Sequence, residues 1–299
     1  VAVLRLATWN LLHGLQLPDG GPANAEQFAA AAKQLGADVL ALQEVDRGQQ
    51  RSGRVDQAGV VAEALGADWH RFVPTLTGVP GEHWEPVPAS VHQAMDSSTV
   101  AGVGVAAASP AAAVADPNGD DTGDDTGDEM GGDTDGPEYG IALVSRLPVL
   151  DWAVLRFAPA PVGLPLLVPG QGFVRVPDEP RLAIAAVLEG PAGPFTVAGT
   201  HLSFVPGLNA AQLRRVSRWL EHRPRPHVLL GDLNLPGPIA ALTTRMTRLA
   251  KAATYPSWRP RVQFDHVLAR GLSGSDVRAA TVHRLPMSDH CALTVDVHW

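Results

Sequence analysis

The chain has a single cysteine, Cys291, in 299 residues. That excludes an internal disulfide framework and a multi-cysteine zinc site. Only two of its 23 basic residues are lysines, and no dense basic stripe marks a tight duplex binder. No apolar run reaches bilayer length, since the Ala-rich stretch from Ala101 to Ala115 is broken by Ser109 and Pro110. A His-Glu-x-x-His zinc signature and a Gly-x-Ser-x-Gly nucleophile elbow are both missing. Gly102-x-Gly104 lacks the third glycine and the acidic partner of a dinucleotide site. No signal peptide is readable ahead of Val1, so cytoplasm and exterior, the latter with a leader already removed, are both open.

What is present is the composition of a folded chain, 45% hydrophobic and 18% charged. The net charge of −8 is unevenly spread. Residues 115–138 hold eight Asp and two Glu with no Lys or Arg, and removing these ten from 31 acids leaves 21 against 23 basic residues. The body is near neutral, which leaves nucleic acid open as a partner, and arginine keeps bidentate phosphate recognition available. The 115–138 segment, built on Asp-Asp-Thr-Gly repeats, reads as a solvated, mobile insertion. A calcium loop is the sharper alternative, but Asp121 stands where Asp116-x-Asn118-x-Asp120 would need glycine. A second segment, 157–178, carries Pro159, Pro161, Pro165, Pro169 and Pro177 around Leu164, Leu166 and Leu167. It is expected as a rigid loop, and contact with a membrane surface could come only through it.

Hydrophobic patterning predicts an edge or half-buried strand at 3–7, further strands at 38–42, 69–73, 100–105, 141–145, 183–188, 196–200, 228–231, 264–269 and 292–297, and helices at 24–35, 57–65 and 209–221. Many strands with few helices favour two packed sheets with helices outside, and 299 residues allow one large domain or two.

The strand ends carry the chemistry. Asn10, Glu44, His201, Asp232 with Asn234, and Asp289 with His290 all stand where an apolar run meets a turn. In extended backbone, Asp232 and Asn234 share a face, although Asp-x-Asn is also ordinary turn chemistry. Carboxylates with amide oxygens suit a hard cation, Mg2+ or alternatively Mn2+, held mainly by Glu44 with Asp289 nearby. Asp265 could accept the second N–H of His290 and orient that ring for phosphoryl chemistry. His266 is a rival base turned to the opposite face, and Cys291 reads as inert filling. Arg47, Arg51 and Arg54 either touch substrate phosphates or form solvated ion pairs.

In their order, Thr8-Trp9-Asn10, Leu42-Gln43-Glu44-Val45-Asp46, the run 139–148, Gly199-Thr200-His201-Leu202, Gly231-Asp232-Leu233-Asn234, Phe264-Asp265-His266-Val267 and Ser288-Asp289-His290 resemble the endonuclease/exonuclease/phosphatase family of metal-dependent phosphoesterases. The resemblance covers nearly the whole chain and implies a single domain over 1–299. It implies a four-layered α/β/β/α sandwich of two mostly antiparallel sheets, with the site at the mouth between them. It further implies Glu44, Asp289 and Asn10 at the metal and Asp232 orienting or activating water. Asn234 and His201 would bind phosphoryl oxygens, with Asp265 orienting His290 as general base or charge stabiliser. Phe264 stands where the family often has Ile. The expected reaction is hydrolysis of a phosphoester, most simply a phosphodiester, by in-line attack of water. A DNA or RNA nuclease, a lipid-headgroup phosphodiesterase and a catalytically silent binding protein are the alternatives. Nothing in the sequence marks an obligate protein partner.

Overall fold

The computed structural model describes residues 2–18, 20–80, 82–87, 136–161, 163–168 and 172–299, with backbone only across 164–168 and 172–176. The strand expected at 100–105, the Ala-rich stretch, the Gly102-x-Gly104 pair and the acidic repeats with their calcium-loop alternative lie outside the described residues. Among the described residues, no helix is long and apolar enough to cross a membrane.

Four helices and three sheets make up the described fold. The first sheet runs β14-β15-β1-β2-β5-β3-β4: β1 (Val3–Asn10), β2 (Val39–Arg47), β3 (Trp69–Val79), β4 (His83–Pro86), β5 (Glu138–Ser145), β14 (Val277–His283) and β15 (Ala292–His298). The second runs β12-β13-β11-β10-β9-β6: β6 (Val149–Phe157), β9 (Arg181–Gly190), β10 (Gly193–His201), β11 (His227–Asp232), β12 (Thr247–Arg248) and β13 (Asp265–Arg270). Both are mixed, because β1 pairs with β2 and β10 with β11 in parallel while their other pairings are antiparallel. Within 157–178, expected as a loop, β7 (Leu164–Val168) and β8 (Gly172–Val176) form a separate antiparallel ribbon.

Alternation along the strands divides the apolar side chains among three cores. Leu4, Leu6, Val39 and Ala41 of the first sheet pack against Ile184, Val197, Val228 and Leu230 of the second. The opposite face of the first sheet, with Trp9, Leu40 and Leu42, meets Phe28, Leu35, Val61 and Leu65 of helices α1 (Ala25–Leu35) and α2 (Gln57–Leu65). The outer face of the second, with Ala183, Ala185 and Leu229, meets Leu213, Val216 and Leu220 of α3 (Leu208–Leu220) and Ala240 of α4 (Ile239–Thr244). Sheets buried on both faces produce the expected helix-sheet-sheet-helix layering.

Local signals explain where the first helices start and stop. Asn24 caps α1 with a reciprocal bond to Gln27, and Gly36 ends it in a left-handed conformation. Asp56 caps α2 by accepting the Gly59 N–H, and left-handed Gly66 ends it. β1, expected as an edge or half-buried strand, lies inside its sheet between β15 and β2. Its polar Arg5 fits there because the guanidinium reaches Asp296 on β15. Glu138, counted with the acidic segment, instead opens β5, where it is buried and paired with Arg47.

Candidate active site

The polar cluster sits at the mouth between the two large sheets, and strand alternation aims most of it. Asn10 continues the inward series of Leu4 and Leu6, and Asp232 that of Val228 and Leu230. Asp265 opens the series of Val267 and Ala269, and His201 lies opposite inward-facing Leu182. Glu44 departs from this logic. Leu40 and Leu42 face the helices, so regular alternation would send Glu44 with them. An irregularity in the β2–β5 pairing between Leu42 and Val45 and a left-handed backbone at Glu44, φ +55°, turn its carboxylate to Asn10 instead. Asn234 and Ser288 share this rare backbone, with φ of +49° and +80°. Each costs about 1–3 kcal/mol, a strain characteristic of functional sites.

Asp232 is the hub. Its Oδ2 accepts from Asn10 Nδ2 at 3.2 Å and lies 3.6 Å from His201 Nε2 and 3.7 Å from His290 Nε2. Its Oδ1 accepts the Asn234 backbone N–H at 2.9 Å. Asn10 Nδ2 also donates to Glu44 Oε1 at 2.9 Å, while its Oδ1 accepts the Leu12 N–H. Asn10 therefore turns its nitrogen to the carboxylates and braces them. Asn234 Nδ2 donates to Leu202 O at 2.9 Å and lies 3.4 Å from His201 Nε2. Asp265 Oδ2 meets His290 Nδ1 at 2.8 Å, both groups buried.

These contacts set the charges. Burial, eased by the Asn10 bond and Arg181 and reinforced by Asp289 and Asp232, holds the Glu44 carboxyl at about 7. Burial likewise raises Asp232 and Asp289, in each case against the charge of His290. Burial alone would pull His290 down, but Asp265, Asp232, the bond to Asp265 and Asp289 outweigh it and push the imidazole up to about 10. His201 goes the other way, driven well below its ordinary value by burial and then by Arg181 and His290.

Crowded carboxylates with raised affinity for protons, in an oxygen-rich setting, fit a hard divalent cation, which would relieve the same repulsion. Asp232, Asp265 and His290 bring ligand-type atoms within 4.8 Å of one another. Asp265 Oδ2 is taken by His290 and both Asp232 oxygens already accept hydrogen bonds, while Asp265 Oδ1 is buried with no partner among the described residues. The Glu44 and Asp289 carboxylates stand beside them as further oxygen donors.

Arg47 is bound to buried Glu138 and Arg51 grips buried Asp46 through two bonds of 2.9 and 2.8 Å, so both are occupied structurally. Arg54 caps no strand end and stands exposed. His266 faces away, its Nε2 2.8 Å from Leu235 O, and Cys291 is buried. The side chains of Leu164, Leu166 and Leu167 lie outside the described ones.

Three neighbours had no sequence signal. Arg181 opens β9 and lies 3.0 Å from His201 Nδ1. Asn209, at the start of α3, donates to Asn234 O at 2.9 Å. The Tyr255 ring lies tilted against that of His290, with the centroids 4.9 Å apart. All three reach the site from segments distant in sequence, where no local spacing marks them.

The model of the Endonuclease/Exonuclease/phosphatase family matches residues 7–290 of the chain. No curated protein matches it. Among solved structures, an endonuclease/exonuclease/phosphatase from Beutenbergia cavernae is similar at 21% identity and a TM-score of 0.57, over 100% of this chain and 72% of that one. A family protein from Leptotrichia buccalis has 13% identity and a TM-score of 0.59, over 99% and 100% of the two chains. One from Bacteroides vulgatus has 15% identity and a TM-score of 0.57, over 100% and 99%. At these identities the likeness is one of fold.

Proposed function

Since the chain belongs to the endonuclease/exonuclease/phosphatase family, and is at that level a metal-dependent phosphoesterase, we propose that it hydrolyses a phosphodiester by in-line attack of water. The observation that carries this reading is the convergence of Asn10, His201 and His290 nitrogens within 3.2–3.7 Å of one Asp232 oxygen.

Glu44 and Asp289 would hold the cation, Mg2+ or Mn2+, with Asn10 able to add only the Oδ1 lone pair that Leu12 leaves free. When bound, such an ion supplies positive charge against the phosphoryl group and a departing oxygen. Asp232 orients the attacking water and takes its proton as the new bond to phosphorus forms and the bond to the leaving oxygen breaks; that oxygen departs opposite the water and takes up a proton from solvent. Asn234 Nδ2 and His201 Nε2 donate to a phosphoryl oxygen. His290, held protonated by Asp265 and Asp232, supports the stabiliser role over that of general base: its Nε2–H meets the charge that accumulates on the phosphoryl oxygens. Asp265 fixes the orientation of the ring.

We also read 1–299 as one catalytic domain bearing the acidic insertion. Arg47 and Arg51, being engaged in ion pairs, lend no weight to a nucleic-acid substrate.

The test is a panel of DNA, RNA, phospholipid, nucleotide and sugar phosphate substrates with magnesium, manganese, calcium and chelator. Metal-dependent release from a diester is expected. Full hydrolysis under chelator would remove the metal, and activity confined to monoesters would remove the diester preference. No turnover of any member, with metal bound, would favour a silent binding protein.

A further inference from the structure

Arg181 is buried at 7% exposure, and its Nη1 points at His201 Nδ1 from 3.0 Å. A guanidinium has only donors. At that distance the facing ring nitrogen must be an acceptor, because two N–H groups would collide and repel. The single proton of the His201 ring is therefore on Nε2. That nitrogen faces the mouth, 3.6 Å from Asp232 Oδ2, which attracts its proton, and 3.4 Å from Asn234 Nδ2. The Asn234 contact is longer and alone would favour a bare Nε2, but it yields to the shorter contact with a donor-only guanidinium at Nδ1. The Asn234 amide is itself oriented by its bond to Leu202 O, so it too presents N–H. Two donors stand side by side, an arrangement that suits an anionic oxygen and repels a further cationic donor.

We propose that Arg181 is a positioning residue: through His201 Nδ1 it fixes the ring tautomer, so that the mouth always meets an Nε2–H donor and never a bare nitrogen. Without the guanidinium, the ring is free to exchange its proton between the two nitrogens, and the tautomer with bare Nε2 would repel a phosphoryl oxygen. Glu179, whose Oε2 lies 3.6 Å from Arg181 Nη2, steadies the far side of the guanidinium. Its Nε is buried without a partner among the described residues, so the contact with His201 is the guanidinium's closest bond there. The use of this donor at a phosphoryl oxygen rests on the phosphoesterase reading; the tautomer itself does not.

Imidazole 15N spectra of the full chain at neutral pH, with and without Mg2+, test the assignment directly. The expected result is a protonated Nε2 and a bare Nδ1 for His201. Arg181→Met should give a mixture of tautomers and about a tenfold loss of kcat/KM on the phosphoester that the panel identifies, the size of one hydrogen bond. Arg181→Lys, which keeps a donor, should retain Nε2–H and recover part of the activity. A wild-type ring protonated on Nδ1 would overturn the proposal, as would unchanged ring signals in Arg181→Met or a changed tautomer with unchanged kcat/KM. If Arg181→Met fails to fold, the wild-type and Arg181→Lys spectra decide. The expected spectra without hydrolysis of any phosphoester would leave the tautomer standing and remove the phosphoesterase reading alone.

Discussion

Asn10 and Glu44 meet at 2.9 Å, amide nitrogen to carboxylate oxygen, although regular alternation would have placed them on opposite faces of their sheet. The left-handed backbone at Glu44 is what closes this gap, and it concentrates a third carboxylate beside Asp232 and Asp289. Crowding these carboxylates costs stability, and a bound cation would relieve that cost.

Glu44→Gln should separate the two effects. The Glu44 carboxyl is held at about 7, above its unfolded value, so its contribution to stability is lost as pH rises through 7. At pH 8 the metal-free variant should be more stable than the wild type by about 1–2 kcal/mol in urea titrations, after allowance for partial exposure. Magnesium should raise the Tm of the wild type and leave that of the variant unchanged. Turnover should fall by about 100-fold or more.

The Asp265–His290 pair gives a pH signature of the same sign in a higher window. His290 is raised to about 10 in the folded, metal-free protein, so its stabilisation is complete below the unfolded value of about 6.5 and is lost as pH rises through 10. The stability difference between wild type and His290→Gln should shrink between pH 7 and pH 10.5. Asp265→Asn should lower the His290 pKa by NMR and reduce kcat by about 10²–10⁴-fold; an unaltered His290 titration would contradict the pairing.

Asn209→Ala leaves the Asn234 carbonyl without its 2.9 Å donor. A loss of about 1–2 kcal/mol in stability is expected, with kcat/KM down about tenfold and magnesium affinity, measured by calorimetry, unchanged. Weakened magnesium binding would mean that this bond braces the metal side as well.

Gly231 precedes the hub residue with φ +147°, and a Cβ there would lie 1.9 Å from Thr200 O. Gly231→Ala should cost roughly 3 kcal/mol or more, seen as a lower urea midpoint. A loss below about 1 kcal/mol would show that β10 and β11 can separate more easily than their packing suggests.

The buried elements were legible in sequence because their apolar runs are continuous: β11, β10, β9 and β15 were all expected near their observed bounds. Strand β14 was not, since Arg278 through Thr281 are exposed and leave no apolar alternation to read. β6, with exposed Leu150 and Asp151 beside half-buried neighbours, is blurred in the same way. β1 read as an edge because Arg5 interrupts its pattern, and only its partner Asp296, far along the chain, makes an interior position tolerable. In the site, the strand-end residues announced themselves by residue type, whereas Arg181 and Asn209 did not, because an arginine opening a strand and an asparagine opening a helix each have ordinary local explanations.

The sequence by itself determined most of the buried strands, that they stack as two sheets between helices, and which polar side chains stand at their ends. Those are consequences of period-two burial and of turn residues, both local. The tertiary structure alone decided that Glu44 turns inward, that Arg47 and Arg51 are held by buried Glu138 and Asp46, and that His201 meets a guanidinium. Such pairings depend on strand order, register and a few left-handed residues. These bring distant segments within hydrogen-bond reach and drive two histidines of the same intrinsic basicity in opposite directions.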